Sequence, residues 1–387
     1  MEEKLGVSRL RVQIEARLDA IRSRHRWRSL RPTRLDPAVI DLTHNDYLGL
    51  RTDPAYQARA RAAAAAWPVG SGASRLLGGE LPVYAATEQS FAAWVGAESA
   101  LYFSSGYAAN EAVMLALQLE GAVYFSDALN HASLIDGMRL ARLAPAQKAI
   151  FAHNDIRDLE RQLASASAPL RLVVTEALFS MDGDFCPILE IAELCKRYGA
   201  LLVLDEAHSI GVYGARGSGV GAALPRDSYL AIYPCGKAMA ASGAFVAGPT
   251  WFRDYLINTS RAFIYSTGVS PWVAAALGEA IVTIQELDDR RLWLEESAAE
   301  MRDFLRHEGY DIGTSRSHII PLIVGSEQRA LAAESFLRQQ GIETRAIRPP
   351  TVPENACRLR LSLHAGLDSQ DLAYLKAALK ELRYDIP

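Results

Sequence analysis

The sequence predicts an α/β protein, with a large domain built on a mostly parallel central sheet and a smaller C-terminal α+β domain. Apolar runs of four to six residues recur between residues 100 and 233, and segments long enough for helices separate them. Such runs are typical of parallel strands that are buried on both faces of a sheet. From about Pro271 the pattern changes to a long helical stretch and then to alternating strands and helices. The 387 residues suffice for two or three domains of about 150 residues each.

The elements of the large domain follow in order along the chain. Strong helix formers fill residues 54–67, and a second helical pattern covers residues 82–95. A further helix is predicted over residues 188–198. The predicted strands of the central sheet are residues 100–103, 122–125, 148–151, 170–174, 201–204 and 229–233.

The C-terminal part has a different order of elements. They are a helical stretch over 272–307, a strand over 319–324, a helix over 330–340, a strand over 358–363 and a helix over 369–382. We therefore divide the chain into an N-terminal arm (residues 1–50), a large α/β domain (51–270) and a C-terminal α+β domain (271–387).

Composition argues against several classes of partner. The 41 Lys and Arg residues against 45 Asp and Glu give a net charge of −4, which provides no general attraction to nucleic acid. No apolar run reaches the roughly 18 residues of a membrane span, and the first residues lack the apolar core of a secretory signal. The four cysteines show no C-x-x-C spacing. We therefore expect a cytoplasmic protein with reduced cysteines and no nucleic-acid or membrane partner.

One local charge run lies in the N-terminal arm, where six arginines occur between Arg22 and Arg34. The run is short and the rest of the chain is acidic, which argues against a nucleic-acid-binding arm. Two interpretations stay open: a solvated helix end, or a segment that reaches toward an anionic ligand.

Several catalytic motifs are missing from the sequence. Residues 205–208 spell the DEAH helicase box, but no G-x-x-x-x-G-K-[ST] phosphate loop accompanies them. Residues 70–75 begin like a dinucleotide fingerprint but end in arginine and follow a predicted helix. The eight histidines form no H-E-x-x-H motif and no Cys/His cluster, so we expect no metal site.

A different set of residues stands at the ends of the predicted strands, where ligands of parallel sheets bind. Asp205 follows one strand directly, with His208 three residues later, and Lys237 follows another strand among small residues that would desolvate its amine. Residues 103–110 form a strand, a small-residue turn and a helix start, which suits a phosphate. His131 follows a further strand and could stack on a flat ring. A lysine, a carboxylate, a stacking group and a phosphate turn are what pyridoxal phosphate requires.

The chain resembles the α-oxoamine synthases, pyridoxal phosphate enzymes of fold type I, over nearly its full length. The resemblance rests on seven pieces in the right order: residues 45–50 (NDYLGL), 70–75 (GSGASR), 104–110 (SSGYAAN), 126–133 (SD and NHAS), 180–184 (SMDGD), 205–209 (DEAHS) and 236–238 (GKA). Residues 346–353 (AIRPPTVP) and 358–361 (RLRL) are similar to the branch that serves biotin synthesis. That branch condenses L-alanine with a pimeloyl thioester and releases CO₂.

The resemblance implies roles for individual residues near the cofactor ring. Lys237 would bond covalently to the cofactor and, once the amino acid displaces it, would remove the α-proton. Asp205 would pair with the pyridinium nitrogen, and His131 would stack on the ring. His208 and Ser180 would contact the side of the ring that carries the phenolic oxygen.

The resemblance also implies phosphate contacts and a homodimer with shared active sites. Gly106 and Tyr107 would bind the phosphate through their main chains. Ser266 and Thr267 would reach the phosphate of the neighbouring subunit's cofactor, which would make the dimer obligatory for function.

Four more residues are implied to bind the substrates. Asn45 and Arg360 would hold the carboxylate of the amino acid, for which a planar guanidinium is suited. Thr351 and Arg22 would lie along the path of the acyl thioester.

The chain departs from the family pattern at three positions. Pro234 replaces a threonine that usually contacts the phosphate region, Tyr84 replaces a frequent histidine, and Leu367 stands where a histidine is common, with His364 close by. None of the three departures removes the core chemistry.

Two other functions stay open at this point. A sibling enzyme would use glycine or serine, or another acyl thioester. A non-catalytic regulatory or scaffold subunit of the same fold is the other alternative, although the intact Lys237, Asp205, His131 and His208 argue against it. The sequence does not decide between coenzyme A and acyl carrier protein as the acyl carrier.

Overall fold

The computed structural model describes residues 2–33, 36 and 38–385, so Arg34 of the arginine run lies outside the described residues. The strands in this part of the chain are β1 (Ile40–Asp41), β2 (Ser99–Phe103), β3 (Ala122–Asp127), β4 (Lys148–Phe151), β5 (Leu170–Glu176), β6 (Ala200–Asp205), β7 (Tyr229–Pro234), β8 (Ala244–Gly248), β9 (Ile319–Gly325), β10 (Ile342–Glu343), β11 (Ala346–Ile347) and β12 (Cys357–Ser362).

The central sheet has seven strands in the order β2-β8-β7-β6-β5-β3-β4. All neighbouring pairs are parallel except those of β8, which runs antiparallel to both β2 and β7. The predicted mostly parallel sheet is therefore confirmed, and each predicted strand forms within two residues of its expected ends. Because β3, β5, β6 and β7 are parallel, their carboxyl ends meet along one edge.

Helices cover both faces of this sheet and continue into the C-terminal part. They are α1 (Glu2–Ser23), α2 (Pro54–Ala64), α3 (Pro82–Val95), α4 (Gly106–Ala116), α5 (Ala132–Leu140), α6 (Ile156–Ser165), α7 (Ile188–Tyr198), α8 (Thr250–Thr259), α9 (Arg261–Ile264), α10 (Pro271–Ile284), α11 (Asp288–His307), α12 (Glu327–Gln339) and α13 (Ser369–Asp385). No helix within the described residues is both long enough and apolar enough to cross a membrane.

Alternate residues of the central strands pack into two separate cores. In β5, Leu172 and Val174 belong to one apolar cluster, while Val173 between them belongs to the other. Successive side chains of a strand point to opposite faces, so this strand is buried on both sides. The continuous apolar runs of the sequence follow from that double burial.

The C-terminal part forms a second, antiparallel sheet in the order β11-β12-β9. The N-terminal segment joins this part of the molecule, because β1 pairs in parallel with β10. Helix α10, beyond the predicted boundary at residue 271, packs against α2 and α3. The three-way division of the chain stays a prediction.

The helical stretch predicted over residues 272–307 is wrong as one helix, because it breaks at residues 285–287. The Leu287 N–H donates to the Ile284 carbonyl at 3.1 Å and closes a turn there. Asp288 and Asp289 then begin α11, where acidic side chains favour the positive end of the helix dipole.

Candidate active site

The carboxyl edge of the central sheet collects polar side chains from four adjacent strands. Glu176 ends β5, and it is directly paired with Asp205 at the end of β6. His131 follows β3, and Lys237 lies three residues beyond β7. The sequence prediction that Asp205, His131 and Lys237 lie at the ends of strands agrees with this geometry.

Lys237 is half-buried, and its Nζ lies 2.9 Å from Nε2 of His208. Burial lowers the pKa of its amine to about 8, although the charges of Asp205 and Glu176 act in the opposite direction. Arg360 lowers the pKa further through repulsion between two cations. A lysine in this environment has an accessible neutral form, which is the form that acts as nucleophile or base.

A chain of hydrogen bonds extends from Lys237 through His208 to Tyr47 and Asn45 near the N-terminus and to Arg360 on β12. Nδ1 of His208 lies 2.6 Å from the hydroxyl of Tyr47, and that hydroxyl lies 3.0 Å from Oδ1 of Asn45. Arg360 donates to both partners, from Nη2 to the Tyr47 hydroxyl at 3.2 Å and from Nη1 to Asn45 at 2.9 Å. The implied carboxylate-binding pair therefore lies two hydrogen-bonded side chains from the lysine amine.

The proton positions in this chain depend on the charge of Lys237. An ammonium can only donate, so Nε2 of His208 must then accept and Nδ1 must carry the proton. That N–H donates to Tyr47, whose hydroxyl donates to Asn45. Burial and the nearby cations Lys237 and Arg360 lower the pKa of His208 well below its usual value, which keeps the imidazole neutral.

Asp205 is buried and is held by two donors. Its Oδ1 accepts from the Ala207 N–H at 2.9 Å, and its Oδ2 accepts from Nδ2 of Asn110 at 2.7 Å. Asn110 also donates to the Ser133 hydroxyl, which lies 2.7 Å from Nδ1 of His131. One network thus orients both the carboxylate and the imidazole.

Glu176 is a second buried carboxyl group beside Asp205. Its burial and the charge of Asp205 raise the pKa of Glu176 well above its usual value. The raised pKa favours the protonated form of Glu176, which reduces the repulsion between two adjacent buried carboxyl groups. His131 has a lowered pKa for the corresponding reason, since desolvation disfavours its charged form.

The predicted phosphate turn is the N-terminus of α4. Ser105 caps this helix by accepting from the Ala108 N–H at 3.1 Å, and Gly106 and Tyr107 are its first residues. An α-helix leaves its first N–H groups without an intrahelical acceptor, so they can bind an anion. A Cβ on Gly106 would lie 2.8 Å from Cγ of Pro234, so the proline ring requires glycine at this position.

Arg360 is buried on β12, and its Nε donates to the main-chain oxygen of Ser180 at 2.6 Å. The contact to Ser180 is through its main chain, and the implied contact of Ser180 with the phenolic-oxygen side of the ring stays a prediction. In the described part of the chain, Arg360 has no carboxylate partner. A buried guanidinium without a counter-ion is costly unless a ligand supplies one.

The remaining predicted site residues lie outside this cluster. Ser266 and Thr267 line a small cavity together with Arg75 and Ser104 of the same chain. Arg22, in the last turn of α1, pairs with Asp19 at 2.8 Å.

Thr351 is exposed in a turn that contacts the N-terminal arm. Near it, Arg348 donates to the main-chain oxygens of His25 and Trp27, and Arg28 donates to that of Pro349 at 3.2 Å. The arm that carries Arg22 and the turn that carries Thr351 are therefore neighbours, but neither residue contacts the Lys237 cluster within the described residues.

Sequence reasoning gave no role to four residues of the cluster, namely Tyr47, Asn110, Ser133 and Glu176. Each lies inside or next to a segment that carries the resemblance, but its partner is up to 161 residues away along the chain. The available signal for Asn110 was a polar amide one turn into α4, close to the predicted phosphate turn.

These residues fit pyridoxal phosphate by the chemistry of their donor set. Lys237 offers an amine for the aldehyde, and the N-terminus of α4 offers N–H groups for the phosphate. The Asp205 carboxylate uses two of its roughly four acceptor positions on Asn110 and Ala207, which leaves capacity for a protonated ring nitrogen. Within the described residues, no group of three or more His, Cys, Asp or Glu could hold a metal ion.

Comparison with known proteins agrees with this chemistry. The sequence pattern of the family "Aminotransferase class I and II" matches residues 37–379. The chain belongs to this family. It is accordingly a pyridoxal phosphate enzyme of fold type I.

Individual relatives narrow the class of enzyme within the family. The chain is 41% identical to an 8-amino-7-oxononanoate synthase from Anaeromyxobacter dehalogenans, over 97% of this chain and 96% of that protein. A serine palmitoyltransferase from Sphingomonas wittichii superposes with a TM-score of 0.88 at 27% identity, over 98% of this chain and 99% of that chain. Another, from S. paucimobilis with bound PLP–myriocin, superposes with a TM-score of 0.85 at 26% identity, over 90% and 88%. The chain is thus an enzyme of the acyltransferase type.

Proposed function

We propose that the protein condenses L-alanine with a pimeloyl thioester to form 8-amino-7-oxononanoate. A relative that is 41% identical is named after this compound. In this reaction the α-carbon of alanine bonds to the thioester carbonyl carbon, and the C–S bond breaks to release the thiol. The bond to the alanine carboxylate then breaks and CO₂ leaves. The observation that carries the proposal is the buried Arg360, which has no carboxylate partner among the described residues and is connected through Tyr47 and His208 to the Lys237 amine.

Each residue of the cluster would perform one task on the amino acid. Arg360 and Asn45 would bind its carboxylate, and Lys237 would accept the α-proton at Nζ. When bound, pyridoxal phosphate delocalises the electron pair that proton removal leaves on the α-carbon. Asp205 would keep the ring nitrogen protonated, and His131 would cover one face of the ring.

Other residues would hold the cofactor and line the path of the acyl thioester. His208 and Ser180 would face the phenolic oxygen, and the N–H groups of Gly106 and Tyr107 would bind the phosphate. Arg22 and Thr351 would lie on the acyl path, where the neighbouring positions of arm and turn support a common role.

A second candidate is a sibling reaction that uses serine and a longer acyl chain. The similarity to a serine palmitoyltransferase, with a TM-score of 0.88 at 27% identity, favours this candidate. A panel of alanine, glycine and serine with acyl thioesters of several lengths, each on coenzyme A and on acyl carrier protein, separates the two. We expect alanine with the pimeloyl chain to give the fastest CO₂ release and a product of the mass of 8-amino-7-oxononanoate. Faster turnover of serine or of a longer chain would contradict the proposal.

We further propose a homodimer in which Ser266 and Thr267 complete the partner's phosphate site. Mixing Lys237→Ala chains with Ser266→Ala/Thr267→Ala chains should restore activity, because one site of a mixed dimer would contain both an intact lysine and intact hydroxyls. Purified mixed dimers without recovered activity, or an active monomer, would refute shared sites.

A further inference from the structure

His153 lies between two buried carboxylates at the carboxyl edge of the central sheet, two residues beyond β4. Its Nδ1 is 2.9 Å from Oδ1 of Asp127, the last residue of β3. Its Nε2 is 3.0 Å from Oδ2 of Asp184, in the loop that follows β5. The side chains of Asp127 and Asp184 are 0% and 9% exposed, against 22% for the imidazole.

The geometry requires a charged imidazole. A neutral histidine carries one N–H, so one of its nitrogens would direct a lone pair at a carboxylate oxygen. An imidazolium donates from both nitrogens and satisfies both acceptors. Asp127 and Asp184 have no other cationic partner in the described ranges, so the single positive charge of His153 serves both.

The first carboxylate shapes the turn that leads to His131. Oδ1 of Asp127 accepts from the Leu129 N–H at 2.8 Å, and its Oδ2 accepts from the Asn154 N–H at 2.9 Å. The main-chain oxygen of Asp127 accepts from the Asn130 N–H at 3.3 Å. The turn that orients His131 is thus fixed on the side chain to which His153 donates.

The second carboxylate closes the loop that carries Ser180. Oδ2 of Asp184 also accepts from Nδ2 of Asn154 at 3.2 Å and from the Thr314 hydroxyl at 3.1 Å. The main-chain oxygen of Asp184 accepts from the Phe179 N–H at 3.0 Å, which brings the two ends of the loop together. At the same loop, the main-chain oxygen of Ser180 accepts from Arg360.

We propose that His153 is a positioning residue, whose imidazolium ties the turn that carries His131 to the loop that carries Ser180 and, through it, Arg360. It does not touch the reacting atoms and acts only through Asp127 and Asp184. The functional consequences rest on the roles proposed above for His131 and Arg360, whereas the charged state of His153 does not.

The electrostatics of the surroundings agree with this role. Burial alone would lower the pKa of His153, but the two carboxylates outweigh it and raise the pKa to about 10. The other titratable groups near Asp127 are Glu176 and Cys186, and each has a pKa well above its usual value because of its burial. In both groups burial favours the neutral form, which weakens their competition with Asp127 for the imidazolium.

Nuclear magnetic resonance of ¹⁵N-histidine-labelled holoenzyme tests the charge directly. An ordinary histidine is neutral at about pH 8.5. We expect one histidine with both ring nitrogens protonated at that pH, and we expect its signals to disappear in His153→Gln. A neutral His153 at pH 8.5 would overturn the proposal, whether or not the variant folds.

The consequence for the site is tested with His153→Gln and a matched control. Arg338→Gln removes a partly buried ion pair with Glu334 in the C-terminal part, so it should lower stability without changing the site. For His153→Gln we expect about tenfold weaker cofactor binding, followed by fluorescence, and a KM for alanine raised about tenfold with a smaller change in kcat. Cofactor affinity and KM equal to those of the control would refute the positioning role. If the protein does not use alanine at all, the proposed function fails, while the resonance and cofactor measurements still decide this inference.

Discussion

A substantial minority of Lys237 amines should be neutral, and therefore reactive, at physiological pH in the cofactor-free protein. Burial lowers its pKa from 10.5 to about 8. At pH 7.5 a group with that pKa is neutral in about a quarter of molecules, whereas an ordinary lysine is neutral in about one in a thousand. The structure therefore predicts a neutral population about two hundredfold larger than for a lysine in water.

Competitive labelling of the cofactor-free protein measures this population. A trace electrophile is applied between about pH 6 and pH 10, and the labelled peptides are quantified by mass. The exposed Lys148 on β4, labelled in the same sample, corrects for the reagent's own pH dependence. We expect labelling of Lys237 to rise with a midpoint near pH 8. A midpoint near 10.5 would refute the reasoning, because it would mean that burial does not act on the amine.

Asp205→Asn tests whether the negative charge of Asp205 stabilises the protonated amine of Lys237. The negative charge of Asp205 raises the pKa of Lys237, so its removal should lower the labelling midpoint below that of the wild type. An unchanged midpoint would show that the amine does not experience this charge.

Three further predictions follow from single contacts. Asp205→Asn should slow exchange of the alanine α-proton for solvent deuterium, because an amide cannot hold the ring nitrogen protonated; an unchanged rate removes it from that role. Tyr47→Phe should lower the free energy of unfolding by about 1–3 kcal/mol and raise the KM for the amino acid. The control Tyr213→Phe loses a hydrogen bond to Nδ1 of His318 at 3.0 Å and should lower stability without changing the KM. Gly183→Ala should lower the free energy of unfolding, measured by urea titration, by about 2–4 kcal/mol, because its φ is +67° and a Cβ would lie 1.9 Å from a main-chain oxygen of β9. The control Gly199→Ala has a similar φ of +60° but no atom within 4 Å of the new Cβ, so it should lower the free energy of unfolding by only about 1 kcal/mol. Equal effects of the two glycine substitutions would contradict the steric argument.

The sequence predicts the central sheet well because local hydrophobicity marks each buried strand. It does not predict β8, whose five residues include two alanines and a glycine and resemble a loop before a helix. This strand is defined by its pairing with β2 and β7, which both run antiparallel to it, and β2 lies more than 100 residues earlier in the chain. The break at residues 285–287 has no glycine or proline to mark it, so it too depends on packing.

The candidate site divides in the same way between local and long-range information. Lys237 and Asp205 can be placed near strand ends from the sequence, because each lies at or within three residues of the end of a strand that is visible in the apolar pattern. The contacts that set their chemistry come from residues far away in sequence: Tyr47 reaches His208 across 161 positions, and Arg360 reaches Asn45 across 315. No local periodicity contains such distances, so the hydrogen-bond chain becomes visible only in the folded molecule.

The departure at Pro234 becomes understandable through packing at the end of β7. Proline lacks an N–H, but strand ends tolerate it, and its ring contacts the position where Gly106 begins α4. A side-chain hydroxyl at residue 234 is lost, while a close contact between the end of β7 and the start of α4 is kept. We therefore expect the phosphate in this chain to be bound mainly by main-chain N–H groups of α4, by the hydroxyls near its start and, if the dimer forms as proposed, by Ser266 and Thr267 of the other copy. Cofactor retention should then depend more on dimerisation here than in relatives that keep the threonine.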